Sequence, residues 1–190
     1  TRRASVGAGA AATATPAVAR DIERIADICR AERADRVEVA ATPEEGLKLM
    51  TARRSALTAL ARLRPTTILE DATVPRSKIA DMVREISRIA EKHKVTIATF
   101  GHAGDGNLHP TVTTDARDRE EIERVEAAFE EIFEAAIRLG GTITGEHGVG
   151  VVKAPFLEWK VGAAGIEVMR GIKKPFDPDN LLNPGKLFAK

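Results

Sequence analysis

The chain carries one cysteine, Cys29, and no tyrosine. A single thiol builds neither a disulfide framework nor a cysteine-rich zinc cluster, so the chain suits a reducing compartment. Cys29 falls on the apolar side of a helical pattern, where a buried and inert thiol is expected. Aromatic residues are only 4% of the 190 positions, too few to form a platform for stacked bases. Charge of one sign is lacking as well. With 29 Lys and Arg against 28 Asp and Glu, no basic field exists to gather nucleic acid or an anionic lipid surface. No apolar run nears the ~20 residues that cross a bilayer. A cytoplasmic protein without nucleic-acid partners is the expectation.

What remains is an ordinary globular composition, 43% hydrophobic and 30% charged, on a length suited to one compact domain. Residues 1–15 are rich in Ala and Gly and read as a flexible leader, leaving residues 16–190 as the domain. Apolar residues recur at helical spacing over residues 16–34, 77–92 and 118–139. Thr42-Pro43-Glu44-Glu45 opens another helix, expected to run through Leu63, and Gly140-Gly141 closes the long one. Strands are expected over residues 36–41, 66–74, 95–100 and 108–114, with a brief one over 142–144. Two short helices follow, near Pro155 and over residues 165–173. Residues 95–114 have the look of a hairpin rather than a crossover. The pattern predicts an α+β fold, an antiparallel sheet with helices on one face in the manner of a ferredoxin-like cap, then a C-terminal helical segment. A doubly wound parallel sheet is disfavoured, because no G-x-G-x-x-G follows a strand.

Three of the four histidines lie in two glycine-rich segments, Gly101-His102-Ala103-Gly104-Asp105-Gly106-Asn107-Leu108-His109 and Gly145-Glu146-His147-Gly148-Val149-Gly150. Flanking glycines leave an imidazole uncrowded at a loop rim. His102 and His109 stand on either side of one turn and could converge on one ion, with Glu146 as the third ligand. Two imidazoles and a carboxylate with an open position make a catalytic rather than a structural metal site, suited to zinc, manganese or iron. The alternative is plain hairpin chemistry, with Asp105-Gly106-Asn107 as the turn and both histidines hydrogen-bonded at the sheet edge. His93, in a charged helix end, reads as solvated. Arg53 and Arg54 read as a solvated helix face unless a substrate carboxylate calls for a bidentate guanidinium. In the tail, Asp177 is expected to cap a helical turn that Asn183-Pro184-Gly185 ends.

The order and spacing of these two histidine motifs, with the tail over residues 177–186, resemble the C-terminal domain of FAD-linked oxidases. That group holds D-lactate dehydrogenases, the glycolate oxidase flavin subunit and D-2-hydroxyglutarate dehydrogenase. Glu70-Asp71-Ala72-Thr73-Val74-Pro75-Arg76-Ser77 resembles the family's segment before its long helix. The resemblance implies a divalent metal held by His102, His109 and Glu146, His147 as base on the C2 hydroxyl of a 2-hydroxy acid, and Arg53 on the substrate carboxylate. It further implies that Asn107 shapes the pocket and that Asn183 and Lys186 lie toward the flavin. Leu57 and Leu69 stand where some relatives carry polar residues, which favours small acids such as lactate or glycolate over diacids. The family's FAD-binding domain has no counterpart here, so the chain is expected neither to hold FAD nor to oxidise substrate unaided. An electron acceptor, through which a membrane could be approached, is not specified by the sequence. A cap without its flavin domain exposes apolar surface that could drive a homodimer. Two other readings stand beside this one: an independent metal-dependent hydrolase using the same three ligands, and a non-catalytic α+β interaction module.

Overall fold

The computed structural model describes residues 15–188, apart from the side chains of Ala52 and Arg53. All but Thr15 of the expected leader lies outside the described residues. The chain divides into two compact units between Ala59 and Leu60.

The first unit holds helix α1 (Pro16–Ala31), α2 (Pro43–Arg54) and most of α3 (Ala56–Leu60). Thr15 caps α1 through the amide of Val18, and Pro16 occupies the first turn, where its missing N–H costs nothing. Thr42 caps α2 by accepting from the Glu45 amide, and the Glu45 carboxylate accepts from the Ala41 amide just before the cap. Sequence periodicity overextends this region: the helix expected through Leu63 breaks at Ser55 and stops at Leu60. The strand expected over residues 36–41 is reduced to one bridging residue, Val39, because two alternating valines offer too little apolar face to hold a register. Cys29 is half-buried rather than enclosed.

The second unit is built on an antiparallel sheet with β4 (Asn107–Thr114) at its centre. On one side β4 pairs with β1 (Thr66–Leu69) and, farther along, with β2 (Ala72–Thr73). On the other it pairs with β3 (Ile97–His102), forming the expected hairpin. Helices α4 (Ile79–His93) and α5 (Arg119–Arg138) pack on each other and on the sheet. Met82, Ile86 and Ile89 of α4 meet Val125, Ile132 and Phe133 of α5 in a core that also takes Leu108 and Val112 from β4. This is the α+β architecture anticipated from the sequence. The 20-residue α5 starts at its Asp118 cap and is closed by Gly140 in a left-handed conformation, φ 83°.

Five local expectations give way. The single strand expected over residues 66–74 is split, because Glu70 and Asp71 turn their carboxylates to a buried lysine instead of continuing the ladder. Ser77 does not cap α4; the N-cap is Lys78, the last residue of a 3-10 turn. His93 is not solvated: its Nε2 lies 2.9 Å from Glu131 Oε2 on α5. Beyond α6 (Gly150–Lys153), the C-terminal segment α7 runs over Leu157–Phe176, longer than expected, with a non-helical break at Gly162. Asp177 then ends α7 rather than starting a helix, accepting from the amides of Leu181 and Leu182 and pairing with Lys173.

Candidate active site

Strand alternation decides where the histidines go. Leu108 and Val112 of β4 enter the apolar core, so Asn107 and His109 face the opposite side of the sheet. His102 ends β3 in register with Asn107, two pairs along from His109 and so on the same face. The turn between them needs Gly106, whose φ is 74° and whose added Cβ would meet the Val74 carbonyl oxygen at 2.0 Å.

The third and fourth groups come from the loop after the Thr73–Thr142 bridge. Adjacent residues on a strand would point apart, but this loop bends so that Glu146 and His147 both reach β4. Glu146 Oε1 lies 3.0 Å from His109 Nε2, 3.8 Å from His102 Nε2 and 3.9 Å from His147 Nε2. The His109 ring stacks on His147 with centroids 5.3 Å apart and meets His102 edge-on at the same separation. Donor atoms of His102, His109 and Glu146 all fall within 4.8 Å of one another. A tetrahedral ion with ligand bonds near 2.1 Å sets its donors about 3.4 Å apart, so the set fits a divalent metal after small adjustments. Burial holds His109 below the ordinary imidazole range against the pull of Glu146 upward, which favours the neutral ring that a metal needs. His109 Nδ1 is buried without a hydrogen-bond partner.

What bends the loop is a carboxylate that sequence reading passed over. Asp71 is fully buried, and its Oδ2 accepts from Thr144 Oγ1 at 3.2 Å and from the amides of Gly145, Glu146 and His147 at 2.7, 2.8 and 3.1 Å. Its Oδ1 pairs with Lys153, which is 2% exposed and also reaches Glu70 Oε2 at 3.1 Å. Burial alone would raise the Asp71 carboxyl. The Glu146 amide, the Lys153 ammonium and the other two amides outweigh it and hold the group well below the usual carboxylate range. An acid interrupting an apolar strand and a lysine after two valines were the available signals. Neither announces the other.

The model of FAD linked oxidases, C-terminal domain, matches residues 7–187. The chain belongs to this family. Glycolate oxidase subunit GlcD of Bacillus subtilis (strain 168) is 64% identical over 173 residues, 91% of this chain and 37% of that protein. GlcD of Escherichia coli (strain K12) is 34% identical over 169 residues, covering 89% and 34%. The probable mitochondrial D-lactate dehydrogenase of Danio rerio is 38% identical over 143 residues, covering 74% and 29%. The chain thus spans about a third of the length of these relatives, all named as oxidoreductases.

Of the residues singled out by the resemblance to FAD-linked oxidases, His102, His109, Glu146, His147 and Asn107 gather in one place. Asn107 is buried, accepts from Thr73 Oγ1 at 2.8 Å, and packs against Gly145, where an added Cβ would sit 2.7 Å from its side chain. Asn183 and Lys186 share the C-terminal turn, where the Lys186 amide donates to the Asn183 carbonyl. Asn183 lines a groove of about 610 Å³ with Arg170, Lys173 and Phe188. Arg53 belongs to the first unit, on α2, and its side chain is outside the described set. No helix among the described residues is long and apolar enough to cross a membrane.

Proposed function

We propose that the chain is the substrate-capping and proton-transferring part of an FAD-dependent 2-hydroxy-acid dehydrogenase, acting on a small acid of the glycolate or D-lactate kind. The observation that supports this most is the meeting of His102, His109 and Glu146 with a further imidazole, His147, stacked on the same cluster. His102, His109 and Glu146 would hold the divalent ion, whether zinc, manganese or iron. When bound, that ion would acidify the substrate hydroxyl, while the family's flavin would accept the hydride equivalent from C2.

The remaining work falls to side chains of this chain. His147 takes the hydroxyl proton at Nε2, the ring nitrogen that faces Glu146; its Nδ1 faces Asp71 at 3.6 Å. Arg53 binds the substrate carboxylate, and bidentate recognition by a guanidinium sets the orientation of C2. Asn107, wedged against Gly145, shapes the wall of the pocket. Asn183 and Lys186 serve the flavin side. Leu57 and Leu69 offer no polar partner to a second carboxylate, which disfavours diacids.

The test is made on the complete enzyme with a panel of D- and L-2-hydroxy acids and an artificial dye. His147→Asn should remove turnover on glycolate or lactate while metal content and melting temperature stay near wild type. Full activity in that variant, or a wild-type enzyme whose turnover survives thorough chelation, would remove the basis of the reading.

A further inference from the structure

The proton-transfer scheme leaves two fully enclosed charged groups without a task. Asp71 is 0% and Lys153 2% exposed, the most deeply buried ion pair among the described residues. Burying two charges is costly unless each is compensated, so a purely packing role would be served as well by apolar residues. We infer that Asp71, locked in place by Lys153, is the positioning residue that fixes Glu146 and His147 against the imidazoles of β3 and β4. This inference rests on the metal and proton-transfer reading of the site.

Three observations carry it. The hydrogen bonds to Asp71 Oδ2 come from Thr144 and from three successive amides, those of Gly145, Glu146 and His147, so one oxygen sets the path of the loop. Converging amides of this kind form a nest that selects a fully charged acceptor. Lys153 reaches both ends of Asp71, its Oδ1 and its backbone carbonyl oxygen at 3.0 Å, which stops the side chain from swinging away from the loop. Finally, Glu70, Asp71 and His147 would themselves make a second ligand set, with donor atoms within 4.8 Å. The Lys153 ammonium sits within that set, bound to both carboxylates, and so keeps His147 from being drawn into coordination on the Asp71 side. Asp71 Oδ1, 3.6 Å from His147 Nδ1, faces the nitrogen that must carry the proton if Nε2 is to act as base.

The experiment uses zinc ion as the probe and the chain itself, with three readouts. Calorimetric titration gives zinc affinity, Trp159 fluorescence gives the melting temperature, and long-range proton–nitrogen spectra of the metal-free chain give the His147 tautomer. His102→Ala and Glu146→Gln are expected to abolish tight binding; zinc bound equally well by both would sink the underlying reading. Asp71→Asn is expected to weaken zinc binding about 10- to 100-fold, the range for residues that orient ligands. It should also shift the His147 nitrogens away from the Nδ1–H form. A folded Asp71→Asn that keeps wild-type affinity, or wild-type His147 nitrogens, overturns the positioning role while leaving the metal reading intact. If Asp71→Asn fails to fold, Thr144→Val decides. It removes one hydrogen bond to Asp71 and one from the Gly148 amide without burying a charge, and should weaken zinc several-fold. Unchanged affinity in that folded variant overturns the inference.

Discussion

Gly145→Ala is the substitution whose consequence the structure fixes most sharply. The backbone of Gly145 lies outside the left-handed region, so alanine brings no conformational strain; only space decides. Its Cβ would sit 2.1 Å from Thr73 Oγ1, with Asn107 Cγ and Oδ1 at 2.7 and 2.8 Å. Thr73 can escape only by turning about χ1, which breaks its 2.8 Å hydrogen bond to Asn107 Oδ1. Overpacking costs about 1–3 kcal/mol. The lost bond at a buried carboxamide adds about 1 kcal/mol. Together they give roughly 3 kcal/mol. Trp159, the sole tryptophan, lies in the second unit and packs against Phe156, so its fluorescence during urea unfolding reports the unit that matters. Thr73→Ala removes the nearest obstacle, so the double variant should be more stable than the sum of the single effects by over about 0.5 kcal/mol. Additive losses, or a Gly145→Ala protein within about 0.5 kcal/mol of wild type, would refute the view that close approach to Thr73 and Asn107 holds the loop.

Other consequences follow from the same contacts. Lys153→Met should cost about 3–5 kcal/mol in urea unfolding, since it strands the buried Asp71 carboxylate without its counter-ion; a loss below about 1 kcal/mol would contradict that role. Glu131 accepts from Lys92 and Arg88 and meets His93, and these contacts lower its carboxyl to about 2. A lowered folded value means stability that is whole above the unfolded value near 4.5 and lost as pH falls toward 2. Arg88 and Arg138 also face Glu85, whose carboxyl is lowered by Arg88 first and which titrates alongside. Glu131→Gln should therefore be less stable by about 1 kcal/mol at pH 7, a figure kept small by solvent screening, and converge on wild type as pH falls below about 2. A deficit that persists in acid would assign the effect to packing. Gly148→Ala, at φ 81° with open space around it, should cost only about 1 kcal/mol; a penalty matching Gly145→Ala would reveal a hidden contact.

Much of this molecule is legible before any coordinates. The 3.6-residue periodicity of α4 and α5, the Asp118 cap and the Gly140 stop are local signals, and local signals survive folding intact. So does the hairpin that puts His102 and His109 about one turn, because Gly106 can adopt a conformation other residues resist. The glycine-flanked histidines and Glu146 could therefore be named as candidates from residue type and spacing alone. The break at Glu70-Asp71 could not, nor could the ion pairing of His93, since each depends on partners distant in sequence. Asp71 and Lys153 make the point best: 82 positions apart, each looks ordinary among its neighbours, and only the tertiary fold brings them together. Sequence periodicity sets which face of an element is apolar. Which buried charge meets which is settled when the layers close, because a charge leaves water only where its partner is already waiting.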